Sequence, residues 1–174
     1  MKTESRPVST MLLGLGNPIL GDDGIGCRVA ELVKKILGPA KGLQVVSASV
    51  SPVRLVDQIC EYSRLIIVDS VTTGEARPGE LLEIDFARKG PAPASVHHFS
   101  VDRIPEIAEA LSLPCPDIIR IYGIEIIPPR EYGDSLSPSL ELLLPSLAEK
   151  LIQLELKEFI SRDSGILPRG ERAV

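Results

Sequence analysis

Tryptophan is absent from these 174 residues, and aromatic residues of all kinds make up only 3%. A core must therefore be built from Leu, Ile, Val and Ala, and a hydrophobic content of 44% is enough for a sizeable one. No run of about eighteen apolar residues occurs, so no membrane span is expected. The stretch Met1 to Thr10 lacks the apolar segment of a signal peptide. Basic residues are in deficit: 19 Lys and Arg against 24 Asp and Glu give a formal net charge of -5, which disfavours a nucleic-acid surface. Cysteine is scarce. Cys27, Cys60 and Cys115 are odd in number and widely spaced, with neither a zinc-type Cys-x-x-Cys pair nor a disulfide framework. They read as small buried side chains in a reducing cytoplasm. The only histidines are His97 and His98. No His-Glu-x-x-His helix exists, and no Ser-His-Asp or Cys-His pair is apparent, so the zincin, serine and cysteine protease routes lack support.

What is present is organised around Met11 to Cys27, Met-Leu-Leu-Gly-Leu-Gly-Asn-Pro-Ile-Leu-Gly-Asp-Asp-Gly-Ile-Gly-Cys. Met11 to Leu15 read as a short buried strand. Gly14 and Gly16 permit a tight turn, and Asn17-Pro18 marks one. Asp22 and Asp23 then open a helical pattern. A dinucleotide fingerprint fits poorly, because Ile19 stands where its third glycine should be and two acids stand where a pyrophosphate needs bare N–H groups. One acid is enough to cap the helix; Asp22 is expected to do so, leaving Asp23 free for chemistry.

Strands and helices alternate through the rest of the chain. The first helix carries Ile25, Val29, Leu32, Val33 and Ile36 and stops at Gly38-Pro39. Leu43 to Ser47 is a second strand. A second helix follows, with Ser51 as its cap and Val53, Val56, Ile59 and Cys60 on its apolar face. Leu65-Ile-Ile-Val68 is a central strand ending in Asp69-Ser70, and Leu81 to Ile84 is a fourth strand. A long loop from Phe86 to Ser100 holds both histidines, and Ser100 caps a third helix containing Ile104, Ile107, Ala108 and Leu111. Ile118 to Ile126 is a fifth strand. Pro138 opens the last helix, with Leu140, Leu143, Leu144, Leu147, Leu151 and Leu154 expected on its apolar side and a kink or break at Pro145. These elements predict a single α/β domain over residues 1–160 and a disordered tail over 161–174. The domain is a three-layer sandwich of about five mainly parallel strands with helices on both faces.

In such sheets ligands bind beyond the carboxyl ends of the strands, near the point where strand order reverses. If strands one and three are neighbours, Asp22 and Asp23 face Asp69 there, and the loop after strand four brings His97 and His98. Two carboxylates and an imidazole suit nickel, zinc, manganese or cobalt. A bare pair of acids suits general acid/base chemistry instead.

Gly14-Leu-Gly16-Asn17-Pro-Ile-Leu-Gly-Asp22-Asp23-Gly24-Ile-Gly26 resembles the opening signature of the nickel–iron hydrogenase maturation endopeptidases. Leu-Ile-Ile-Val-Asp-Ser through Asp69, Ser-Val-His-His-Phe through His97, Tyr122 to Pro128 and Ser135 to Leu140 are similar to later family segments. The resemblance runs from Met11 to Leu156 and implies a phosphorylase/hydrolase-like fold. It further implies an endopeptidase that removes the C-terminal extension of the nickel-loaded large subunit. Asp23, Asp69 and His97 would be the catalytic and metal-recognising residues, His97 rather than His98 because it follows a Ser/Thr-type dipeptide. The nickel is carried by the substrate, no permanent cofactor is expected, and the protein would act in the cytoplasm as a monomer on the immature large subunit. The chain departs from the family where Ser47-Ala-Ser-Val-Ser51 replaces an Asp-Gly-Gly-Thr-like turn. Two rivals stand beside this reading. A nickel-site chaperone would bind the same precursor without cutting it. Peptidyl-tRNA hydrolase also opens with Gly-Leu-Gly-Asn-Pro, but its early catalytic histidine and basic face are missing here.

Overall fold

A computed structural model describes residues 9–50, 52–84, 104–129 and 131–160. His97, His98, the Ser51 and Ser100 caps, the rest of the loop from Phe86 to Ser100 and the tail from 161 lie outside the described residues. The strands are β1 (Thr10–Leu15), β2 (Leu43–Ala48), β3 (Arg64–Val71), β4 (Leu81–Glu83) and β5 (Ile118–Glu125). The helices are α1 (Ile25–Leu37), α2 (Val56–Ile59), α3 (Ile104–Ala110) and α4 (Pro138–Glu155). The strands form one sheet in the order β2-β1-β3-β5-β4. All neighbours are parallel except β4, which lies antiparallel on the edge beside β5.

Period-2 alternation divides the strand side chains between two cores. On one face Leu12, Ile66, Val68 and Tyr122 pack with Val29 and Val33 of α1 and Leu140, Leu147 and Leu151 of α4. On the other, Met11, Leu13, Leu65, Ile67 and Ile121 pack with Val56 and Ile59 of α2 and Ile104 and Ala108 of α3. Every residue of β1 is buried because both of its faces are covered. From β1 the chain steps outward through α1 to β2, then returns past β1 through α2 to β3. Crossovers of one hand that run in opposite directions put α1 and α2 on opposite faces, which produces the three layers.

Two expectations for the last helix, a break at Pro145 and burial of its whole leucine stripe, are not met. Helix α4 runs unbroken through Pro145. The carbonyl that loses its partner belongs to exposed Glu141, where water can serve it, while buried Leu140 on one side and Leu147, Ala148 and Leu151 on the other hold the helix down. The apolar stripe is also narrower than its leucines suggest. Leu143 and Leu154 are 38% and 54% exposed, and the buried positions near the end of the helix are Ile152 and Glu155. The Glu155 carboxylate accepts hydrogen bonds from the Tyr122 hydroxyl and the Arg64 guanidinium, and Arg64 also pairs with Glu158 at 2.9 Å. Burial, then the adjacent Glu155, push the Tyr122 hydroxyl well above the ordinary phenol range. Of the cysteines, Cys27 and Cys60 are buried as expected and Cys115 is only partly so. Among the described residues no helix is long and apolar enough to cross a membrane.

Helix α1 is pressed against the sheet at its second residue. A Cβ on Gly26 would lie 2.2 Å from the Leu15 carbonyl oxygen and 2.5 Å from that of Val68. Alanine normally favours a helix interior over glycine by about 0.5–1 kcal/mol. Gly26→Ala is expected to reverse that sign and destabilise the fold by about 3 kcal/mol through overpacking against backbone. A urea midpoint equal to that of the parent would show that the helix can lift off the strands.

Candidate functional site

Strand order reverses between β1 and β3, and the segments leaving their carboxyl ends meet there. After β1 the chain passes Gly16, whose φ of +145° excludes a side chain; a Cβ there would sit 2.2 Å from the Asp23 carbonyl oxygen. This close return folds Asn17 back over a 3-10 turn, Gly21–Gly24, which carries both acids and precedes α1. The expected helix start at Asp23 is thus displaced to Ile25.

Asp23 points toward β3. Its Oδ1 accepts a hydrogen bond from Ser70 Oγ at 2.6 Å, and its Oδ2 accepts one from the Asn17 N–H at 3.2 Å. Asp69, only 2% exposed at the end of β3, accepts the Ser70 N–H on Oδ1 at 2.8 Å. Ser70 therefore touches both carboxylates. Cys27 lies beneath them, its Sγ 3.5 Å from the Gly14 carbonyl oxygen and 3.7 Å from those of Gly16 and Ala48. Burial pushes its thiol up to about 11, and the charges of Glu31, Asp69 and Asp23 add to the shift. Such a thiol stays protonated and unreactive at neutral pH.

Asp22 does not cap its own helix. Neither the 3-10 turn nor α1 has a side-chain cap, and Asp22 Oδ1 instead accepts the Ser137 N–H at 2.6 Å, at the N-cap of α4. The two loops are joined by backbone as well: Gly21 N–H donates to the Gly133 carbonyl at 2.7 Å and Gly133 N–H to that of Ile19 at 3.0 Å. An acid inside a 3-10 turn cannot reach the orphan N–H groups that a residue preceding a helix can reach, so it serves the positive end of a neighbouring helix. Asp22→Ala is expected to cost roughly 1–2 kcal/mol in denaturant unfolding. Asp22→Asn should cost much less, since the amide oxygen still accepts; equal losses for both would mean that charge, rather than the hydrogen bond, holds α4.

Two contributors carry no distinct motif in the sequence. Ser70 is simply the residue that follows Asp69 at the end of the third strand. Glu125, 3% exposed at the end of β5, is the other. It receives the Thr73 N–H at 2.9 Å, the Thr73 hydroxyl at 2.6 Å and the Gly74 N–H at 2.8 Å. It thereby anchors the turn that follows β3. Its signal was an acid closing an apolar strand, the same pattern that marked Asp69.

Among the described residues no group of three or more His, Cys, Asp and Glu side chains could by itself hold a metal. Asp23 and Asp69 present two oxygen donors from different segments, an arrangement that can engage a divalent cation bringing its own further ligands, or move protons. An open hollow lined by Lys34, Pro39, Lys41 and Leu43 lies at the β2 edge and involves none of these acids.

The structure is similar to the hydrogenase maturating endopeptidase HybD from E. coli, with a TM-score of 0.68 and 20% identity over 87% of this chain and 93% of that one. It is also similar to the [NiFe] hydrogenase maturation protease HycI from Thermococcus kodakarensis, with a TM-score of 0.65 and 23% identity over 90% and 94% of the two chains. Both likenesses concern the fold. In sequence, the hydrogenase expression/formation protein HupD of Bradyrhizobium diazoefficiens is 25% identical over an alignment covering 99% of this chain and 92% of that protein. The family profile described as hydrogenase maturation protease matches residues 27–154, a span that includes Asp69 and His97 and begins just after Asp23. Matched over most of its length, the chain belongs to the hydrogenase maturation protease family.

Proposed function

We propose that this protein is the endopeptidase that removes the C-terminal extension from the nickel-loaded large subunit of a nickel–iron hydrogenase. The observation that carries the reading is the carboxylate pair Asp23 and Asp69, brought from two segments to the switch point and linked by Ser70. Membership of a maturation protease family supplies the reaction class. Asp23, Asp69 and His97 recognise the nickel that the substrate's own cysteines already hold. His97 comes from the segment between β4 and α3, outside the described residues. Substrate-borne nickel supplies Lewis acidity beside the scissile bond, polarising its carbonyl or orienting the attacking water. Water adds to the carbonyl carbon, the C–N bond breaks, and the leaving amine takes a proton. No permanent cofactor is needed, because the metal arrives with each substrate.

The test is to mix the purified protein with the nickel-loaded precursor and follow the mass of the precursor. Release of a short C-terminal peptide, with the mature subunit accumulating, is the expected result. Stable binding without any change in mass would instead make the protein a chaperone of the same precursor.

A further inference from the structure

We propose that Ser70 is a positioning residue that sets Asp23 for its encounter with the substrate's metal while its backbone fixes Asp69. The inference rests on the functional reading given above. Ser70 is 3% exposed and lies in β3, paired in register with Ile124 of β5. Its Cα is therefore held by the middle of the sheet. From this fixed point the N–H donates to Asp69 Oδ1 at 2.8 Å and the hydroxyl donates to Asp23 Oδ1 at 2.6 Å. Asp23 itself stands on a short 3-10 turn and is only half-buried. Its second restraint is the Asn17 N–H, at the longer distance of 3.2 Å.

An ionised carboxylate offers about four lone-pair sites. The Ser70 hydroxyl and the Asn17 N–H occupy one on each oxygen, which leaves one on each for an incoming cation. They also select a single carboxylate orientation. Without the hydroxyl, Asp23 would sample further rotamers, and the cost of ordering them would fall on substrate binding. Ser70→Ala removes the bond to Asp23 and retains the N–H to Asp69, so it isolates the proposed effect. A serine that merely fills a small buried site would influence folding alone.

The experiment measures KM and kcat of the full chain on the nickel-loaded precursor for the parent, Ser70→Ala and Ser70→Thr, with thermal unfolding alongside. Ser70→Ala is expected to raise KM about tenfold, with kcat within about twofold and an unchanged melting temperature, the pattern of lost ground-state recognition. Ser70→Thr, which keeps the hydroxyl, should restore KM. Equilibrium binding of the same precursor to Asp23→Asn should be unaffected, within about twofold, by adding Ser70→Ala, because Ser70 acts through Asp23. An unchanged KM in Ser70→Ala, or a tenfold loss of binding from Ser70→Ala on top of Asp23→Asn, would overturn the assignment. A parent protein that leaves the nickel-loaded precursor intact would overturn the functional reading itself, and this inference with it.

Discussion

Only the nickel-loaded precursor should be shortened when both forms of the large subunit are offered to this protein. In the proposed reading, two carboxylates and one imidazole from three segments would make an incomplete coordination set, which should bind a free divalent cation modestly. A metal already held by thiolates of the precursor would complete that set and join protein to substrate. The energy of metal contact is then available only when the hydrogenase centre has been filled. The measurement compares intact masses of nickel-loaded and nickel-free precursor after equal incubation, with an expected rate ratio of about 100 or more. Such a ratio corresponds to roughly 3 kcal/mol of discrimination, within the range of a lost ligand contact. Equal shortening of both forms would remove metal recognition from Asp23, Asp69 and His97. Tightly bound stoichiometric zinc in the purified protein would argue against a metal supplied by the substrate.

Asp23→Asn is expected to abolish processing, with kcat/KM falling at least about 100-fold, while the fold survives nearly intact. The side chain is half-buried on a turn, and its partners are one hydroxyl and one amide N–H. An Asn of equal size can keep one of these bonds, so the expected loss in stability is about 1 kcal/mol. What it cannot keep is the negative charge with which Asp23, in the proposed function, would engage the metal. Asp22→Asn provides the contrast, because Asp22 is engaged with the N-terminus of α4 rather than with β3. Denaturant unfolding and precursor cleavage measured on both variants separate the roles. Loss of cleavage in Asp22→Asn with full activity in Asp23→Asn would reverse the assignment.

The different fates of these adjacent acids show where sequence reasoning reaches its limit. That one acid would serve structure and the other would face the site was legible from two carboxylates where one cap suffices. The identity of the structural partner was not. Ser137 lies 115 positions away, and a capping rule considers only the helix that follows. The same holds for α4. Its leucines were visible, but that the final inward position is Glu155 rather than Leu154 depends on Tyr122 and Arg64, which reach it from β5 and β3.

Alternating apolar strands and amphipathic helices are local patterns, and by themselves they determined the parallel α/β class and the carboxyl-end location of Asp23 and Asp69, whereas the neighbouring placement of β1 and β3 was only a condition that the tertiary structure meets. Each follows from periodicity and from the chirality of crossovers, which act over tens of residues. The tertiary structure alone decided that Ser70 bridges the two acids, that Glu125 is committed to the Thr73 turn, and that Asp22 is turned toward α4. Hydrogen bonds of about 3 Å demand sub-ångström placement of groups from distant segments. No propensity or spacing along the chain encodes that placement until both cores have packed.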